Sequence, residues 1–201
     1  LDTGKKDGFE AVSPALLEQS FTYLLTLDAD TRMEPGGAAK MIGALAHPLN
    51  RAWLDESGRV LRGRGILQPV VRTTLESAAR TVFAQTFSAQ AGVDAYACAT
   101  GDGWFRLLGQ GAFTGKGLID IRVYARAACA VLPGDVILSH DLIEGALCRV
   151  ALCDRVQVLD GCPPRYLSWA KREHRWMRGD WQLLPFLFSE LSILPIDRLR
   201  M

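Results

Sequence analysis

The stretch Phe21-Thr22-Tyr23-Leu24-Leu25-Thr26-Leu27-Asp28-Ala29-Asp30-Thr31 decides the reading of the fold. Its first seven residues are aromatic, β-branched or leucine and carry no charge. Such a run predicts a strand buried on both faces, as in a parallel sheet. Charge arrives abruptly at Asp28 and Asp30 and ends the strand. Two carboxylates one residue apart at a strand end can share a hard cation. Mg²⁺ or Mn²⁺ is commonly held by one or two carboxylates together with substrate phosphate oxygens. The plainer alternative is a helix-capping aspartate with a solvated neighbour.

On the carboxyl side, Glu34-Pro35 opens a helix, with Pro35 suited to its first turn. The helix runs to about Ala46, and His47-Pro48 stops it. A strand is expected over Gly65 to Val71 and a helix over Thr74 to Thr86. Gly101 to Gly117, rich in glycine and aromatics, reads as a loop. Ile121 to Val131 reads as a helix broken by Pro133-Gly134. Val136 to Leu138 reads as a short strand leading into Ser139-His140-Asp141. Leu142 to Leu152 follows as a helix, with Ser139 or Asp141 available as its cap. Val156 to Leu159 is expected as a strand and Leu167 to Leu184 as the last long helix. Strands alternating with helices predict an α/β fold with a mostly parallel central sheet flanked by helices. Ligands of such sheets sit outside the carboxyl ends of the strands. Asp28 and Asp141 both follow a predicted strand, so one crevice can receive both.

Bulk properties narrow the function classes. A chain of 201 residues with 49% hydrophobic and 22% charged residues is expected to form one globular domain. The formal net charge of +1 gives no basic field for nucleic acid. No run reaches the roughly 18 apolar residues of a membrane span, and without a charged n-region and apolar h-region at the start no signal peptide is expected in this stretch. The first residue is Leu1, so the chain reads as part of something longer. Its cysteines, Cys98, Cys129, Cys148, Cys153 and Cys162, are odd in number and contain no C-x-x-C. Free thiols in a reducing compartment, the cytoplasm, are the expectation.

Three further groups could carry chemistry. Asp141 at a strand-to-helix junction is either a cap or a general base. His140 beside it is structural, a hydrogen-bonding partner of a substrate, or a third metal ligand. In Arg172-Glu173-His174-Arg175-Trp176, helical spacing puts Arg172, Arg175 and Trp176 on one face, which Arg165 and Trp169 extend. Guanidinium groups match phosphates, and a tryptophan face stacks on a sugar ring. The alternative is an amphipathic helix with snorkelling arginines. The loop Gly111-Ala112-Phe113-Thr114-Gly115-Lys116-Gly117 could bring backbone N–H groups to an anion. It is not a P-loop, because Gly117 follows Lys116 where Ser or Thr would stand.

The order of these features resembles processive family 2-like glycosyltransferases. The blocks TLDADT (Thr26 to Thr31), GILQP (Gly65 to Pro69), FTGKG (Phe113 to Gly117), LSHDLIEG (Leu138 to Gly145) and HRWMRGDWQ (His174 to Gln182) together resemble the glycosyltransferase module of cyclic β-1,2-glucan synthases, family 84. The resemblance covers residues 20–185. It implies a GT-A fold and a single partial catalytic domain over 1–201. With the apolar stretch Leu183 to Leu194 broken by Pro185, 186–201 reads either as a membrane-proximal tail or as a core or truncated-end segment. The resemblance further implies a module that transfers glucose from UDP-glucose, with inversion, to a growing β-1,2-glucan acceptor. The module would lie at the cytoplasmic face of the bacterial inner membrane, within a larger membrane-embedded chain.

By position, the resemblance assigns Asp141 as the base and Asp30 and Asp28 to a Mg²⁺ or Mn²⁺ ion. Asp28, Arg175 and Arg172 would bind the donor. Trp176, His140, Phe113, Gly115 and Lys116 would face the acceptor. Arg172 stands where the wider superfamily has glutamine. Gln110 stands in Gly109-Gln110-Gly111, where the family leads one to expect glutamate. The nucleotide-binding strand of a GT-A fold would precede Phe21, so the N-terminal part of the donor site is expected to lie upstream. Rival readings are another processive polysaccharide synthase, a non-catalytic sugar-nucleotide-binding remnant, and a phosphate- or nucleic-acid-binding module on the Arg165 to Arg178 helix.

Overall fold

The computed structural model describes residues 20–88, 107, 109–129, 132 and 140–184. The expected strand Val136 to Leu138, Ser139 and most of the first half of the expected Gly101 to Gly117 loop lie outside the described residues.

The apolar stretch forms strand β1 (Tyr23–Thr26), and a turn closed by the Thr31 N–H on the Asp28 carbonyl (3.0 Å) leads to β2 (Arg32–Met33). Helix α1 (Gly37–Ala46) follows, and Pro35 falls in the turn before it. A hairpin of β3 (Trp53–Leu54) and β4 (Val60–Arg62) precedes the long strand β5 (Ile66–Thr73). The single helix expected over Thr74 to Thr86 is two short ones, α2 (Leu75–Ala78) and α3 (Val82–Phe87). Thr74 and Thr81 each accept the backbone N–H three residues on, so each starts a helix of its own. Strand β6 (Gly117–Asp120) runs straight into α4 (Ile121–Ala127), which Asp120 caps through the Val123 N–H. Helix α5 (Asp141–Cys148) ends well before Leu152, because Val150 onward is strand β7 (Val150–Asp160). The last described helix is α6 (Tyr166–Gln182).

Five of the described strands make one sheet in the order β1-β6-β5-β7-β2. The α/β class is as expected, but the sheet is mixed. Among the described strands only β5 and β7 pair in parallel, while β1–β6, β5–β6 and β2–β7 pair antiparallel. Strand β5 lies at the centre and is buried on both faces. On one side Leu67, Leu118, Cys153 and Val156 pack under Met41 and Leu45 of α1. On the other, Ile66, Ile119 and Val150 pack with Val123 and Ala127 of α4 and Cys148 of α5. Burying a leucine-sized side chain contributes about 1.5–3 kcal/mol, so these two layers dominate the stability. Strand β1 corrects a second expectation: Leu24 is 40% exposed and Phe21 51%, so the run is not covered on both faces. Pro69 sits inside β5 without a ladder donor, and the β5–β7 register shifts immediately after it.

Candidate active site

The antiparallel pairing of β1 with β6 builds the centre of the site. It sets Thr26 opposite Gly117, so the residues just after β1 meet those just before β6. Asp28 thereby meets Lys116, with the ammonium 2.7 Å from Asp28 Oδ2. A parallel β6 would have carried Lys116 to the far edge. Strand β7 runs in the same direction as β1 and ends at the same edge, which brings Asp160 Oδ2 within 3.1 Å of the same ammonium. Strand β2 pairs Arg32 with Leu159, so Thr31 falls beside Asp160 and donates its hydroxyl to Asp160 Oδ1.

The Lys116 side chain is only 8% exposed, against 60% for Asp28 and 19% for Asp160. Burial alone would depress its ammonium. The Asp28 hydrogen bond and the Asp160 and Asp28 charges outweigh that and raise it above its ordinary value. The loop carrying Lys116 is held from below by the fully buried Gln68. Its Oε1 accepts the Thr114 N–H at 3.1 Å, and its Nε2 donates to the Pro69 carbonyl at 3.1 Å.

Asp141 opens α5 against this loop. A Cβ on Gly115 would lie 3.2 Å from Asp141 Oδ2, and Gly115 has φ +77, so glycine serves both the turn and the close approach. Burial, then the Glu144 charge one helical turn on, lifts the Asp141 carboxyl to about 6; Lys116 opposes this and Asp28 adds to it. Glu144 accepts the Tyr124 hydroxyl at 2.7 Å. Asp30 is exposed on its turn, with Oδ2 3.0 Å from where a Cβ on Gly161 would be. Among the described residues Asp28 is ion-paired and Asp30 is not. No group of three or more His, Cys, Asp or Glu there could hold a metal by itself. A Mg²⁺ or Mn²⁺ ion that takes one or two protein carboxylates and completes its shell with phosphate oxygens and water fits what the turn offers.

Asp28, Gly115, Lys116 and Asp141 are thus brought together, with His140 at the N-cap of α5. Phe113 is 3% exposed and lies in the core among Ile66, Ile119 and Val150. On α6 the Arg172 guanidinium sits over the Trp176 ring, 4.8 Å from its centroid; among the described residues Arg172 Nε and Nη2 are buried without a hydrogen-bond partner, with Nη2 3.9 Å from Glu173 Oε1. Arg175 is exposed. Neither it nor Arg172 or Trp176 makes an ion pair or hydrogen bond to the carboxylates of the sheet edge. Trp169 packs instead with Phe83, Phe87 and Tyr166. Gln110 is buried at 6% exposure. Sequence reading missed Asp160, Thr31 and Glu144. Asp160 follows a predicted strand directly, the same signal that singled out Asp28 and Asp141.

No family model matches the chain. It is similar to the cyclic β-(1,2)-glucan synthase NdvB of Rhizobium meliloti, 35% identical over 176 residues, which are 87% of this chain and 6% of that protein. It is also similar to glucans biosynthesis glucosyltransferase H of Bradyrhizobium diazoefficiens, 28% identical over 200 residues, 92% of this chain and 24% of that one. A glucosyltransferase H of Rhodopseudomonas palustris matches a shorter stretch, 42% identical over 76 residues, 31% of this chain and 11% of that one. The chain spans well under a third of the length of each of these relatives. By sequence it is homologous to a segment of glucan-synthesising glycosyltransferases.

Proposed function

We propose that the chain is the catalytic part of an inverting glucosyltransferase that moves glucose from UDP-glucose to a growing β-1,2-glucan. The observation that carries the reading is the meeting of Asp28, Lys116 and Asp141 at one sheet edge, in a chain homologous over most of its length to a glucan synthase. A UDP-sugar has an α anomeric bond, so a β-linked product needs one in-line displacement. Asp141 takes the proton of the attacking acceptor hydroxyl. A carboxyl lifted to about 6 is still ionised at neutral pH and is a stronger base than an exposed aspartate. Asp30, with Asp28 beside it, would hold a Mg²⁺ or Mn²⁺ ion, whose charge would offset that of a departing diphosphate.

Arg172, whose Nε and Nη2 have no hydrogen-bond partner among the described residues, and the exposed Arg175 supply guanidinium donors to the same diphosphate. The Trp176 face and His140 receive the acceptor end, and Gly115 and Lys116 line its approach to Asp141. Among the described residues no helix is long and apolar enough to cross a membrane. Placement at the cytoplasmic face of the inner membrane, within a larger chain, is part of the proposal. The test is transfer of labelled glucose from UDP-glucose by the full-length protein, followed by linkage analysis. Glucan with β-1,2 bonds is expected. Another linkage transfers the reading to a different polysaccharide synthase, and no transfer at all with a divalent cation present overturns it.

A further inference from the structure

Asp160 has no place in the reaction as proposed above, yet it is the more enclosed of the two carboxylates that hold Lys116. Its two oxygens are both used: Oδ2 holds the Lys116 ammonium at 3.1 Å, and Oδ1 accepts the Thr31 hydroxyl. The next residue, Gly161, leaves room for Asp30, since any Cβ there would stand 3.0 Å from Asp30 Oδ2. The end of β7 therefore touches the Asp28-to-Thr31 turn at three points: through Lys116 to Asp28, directly to Thr31, and by close approach to Asp30. This is a dense set of constraints for an exposed turn of a few residues.

We infer that Asp160 is a positioning residue for the nucleotide-sugar site: with Thr31 it pins Lys116 against Asp28, so that Asp28 meets the donor as a neutralised, fixed hydrogen-bond acceptor. The inference rests on the proposed UDP-glucose reading. Its physical basis is charge. Asp28, Asp30, Asp141 and Asp160 crowd one edge, and a diphosphate brings further negative charge to it. Lys116 uses Asp28 Oδ2 and leaves Oδ1 for the ligand. An ammonium is a point charge on a flexible stem. Without Asp160, Lys116 has no second anchor and can swing away, which exposes the diphosphate to the full charge of Asp28. The pair Asp28 and Asp30 then divides its work. Asp28, occupied by Lys116, serves the sugar nucleotide, and Asp30, unpaired, serves the cation. Asp160 acts on the donor and not on the metal.

Two measurements on the full-length protein read this separately. Competitive acylation of lysines, followed by mass spectrometry, reports how tightly Lys116 is held, with the exposed Lys40 as internal control. Steady-state kinetics report KM for UDP-glucose and the Mn²⁺ concentration for half-maximal rate. In Asp160→Asn, Lys116 labelling should rise about tenfold with Lys40 unchanged. KM for UDP-glucose should rise tenfold or more, with kcat less affected and the Mn²⁺ requirement within about threefold of wild type. Thr31→Val, a near-isosteric change that exchanges the hydroxyl for a methyl group, should move the same two readouts in the same direction by a smaller factor. It serves also if Asp160→Asn does not fold. An unchanged KM despite faster Lys116 labelling overturns the positioning role. So does a change confined to the Mn²⁺ requirement, and so does unchanged labelling. A wild-type protein that transfers no glucose overturns the donor role together with the proposed function. The labelling tells that outcome apart from failure of the ion cluster.

Discussion

The carboxyl of Asp141 is lifted to about 6 first by burial, then by Glu144 and Asp28, while Lys116 and His140 pull the other way. The folded pKa lies above the unfolded one, so wild-type stability is fullest below about pH 4 on this account and declines as pH rises towards 6. The full shift corresponds to roughly 3 kcal/mol, and solvent screening reduces it to about 1–2 kcal/mol. Asp141→Asn should therefore unfold at higher denaturant than wild type at pH 7 by about that amount, with the difference vanishing near pH 4. The same variant should lose about 10²–10⁴-fold in transfer rate, the usual contribution of a general base. Unaltered transfer would remove Asp141 from the mechanism. In the wild type the rate should climb tenfold per pH unit on the acid side and level off above about pH 6. A profile flat from pH 5 to 7 contradicts the assignment. Asp28, Asp30, Asp141 and Lys116 were legible one at a time, because each is a charged residue next to an apolar or glycine-rich run. Their mutual contacts were not legible, since Asp28 and Lys116 meet only through strand pairing.

Strand direction is the element-scale fact that sequence pattern does not carry. A central strand is apolar on both faces whichever way it runs, so Ile66 to Val71 and Leu118-Ile119 look alike. Strand β6 was further hidden because it starts at Gly117 inside a glycine-rich segment. Strands β2, β3 and β4 are two or three residues long, too short for any periodicity. The break between α2 and α3 was readable in principle from Thr74 and Thr81. Thr81 does two jobs, since its hydroxyl caps α3 through the Ala84 N–H and donates to the Pro164 carbonyl at 2.8 Å. It thereby ties α3 to the approach of α6, whose Trp169 packs on Phe83 and Phe87. Thr81→Ala should cost about 1–2 kcal/mol in chemical denaturation. Thr81→Ser, which keeps the hydroxyl, should recover most of it. If both variants lose equally, the methyl group and not the cap is responsible.

At the scale of the molecule, the site is assembled from segments far apart in the chain: the turn after β1, the loop before β6, the start of α5 and the end of β7. The mixed sheet makes this possible, because antiparallel β6 returns Lys116 to the edge where β1 and β7 both end. What converges there is rich in carboxylates but has no cluster of three that could hold an ion unaided among the described residues. On the proposed reading, a cation bound there would draw its remaining ligands from elsewhere, and the diphosphate of the proposed donor is the natural source. Cation and nucleotide should therefore bind as one unit. Mn²⁺ affinity, read by electron paramagnetic resonance on the full-length protein, should be weak alone and at least tenfold tighter with UDP present. By linkage UDP should tighten by the same factor when Mn²⁺ is added. Asp30→Asn should abolish the coupling, whereas Asp160→Asn should weaken UDP and leave the coupling factor intact. Tight Mn²⁺ binding without nucleotide, insensitive to Asp30, would place the metal elsewhere and leave the turn after β1 to the sugar nucleotide alone.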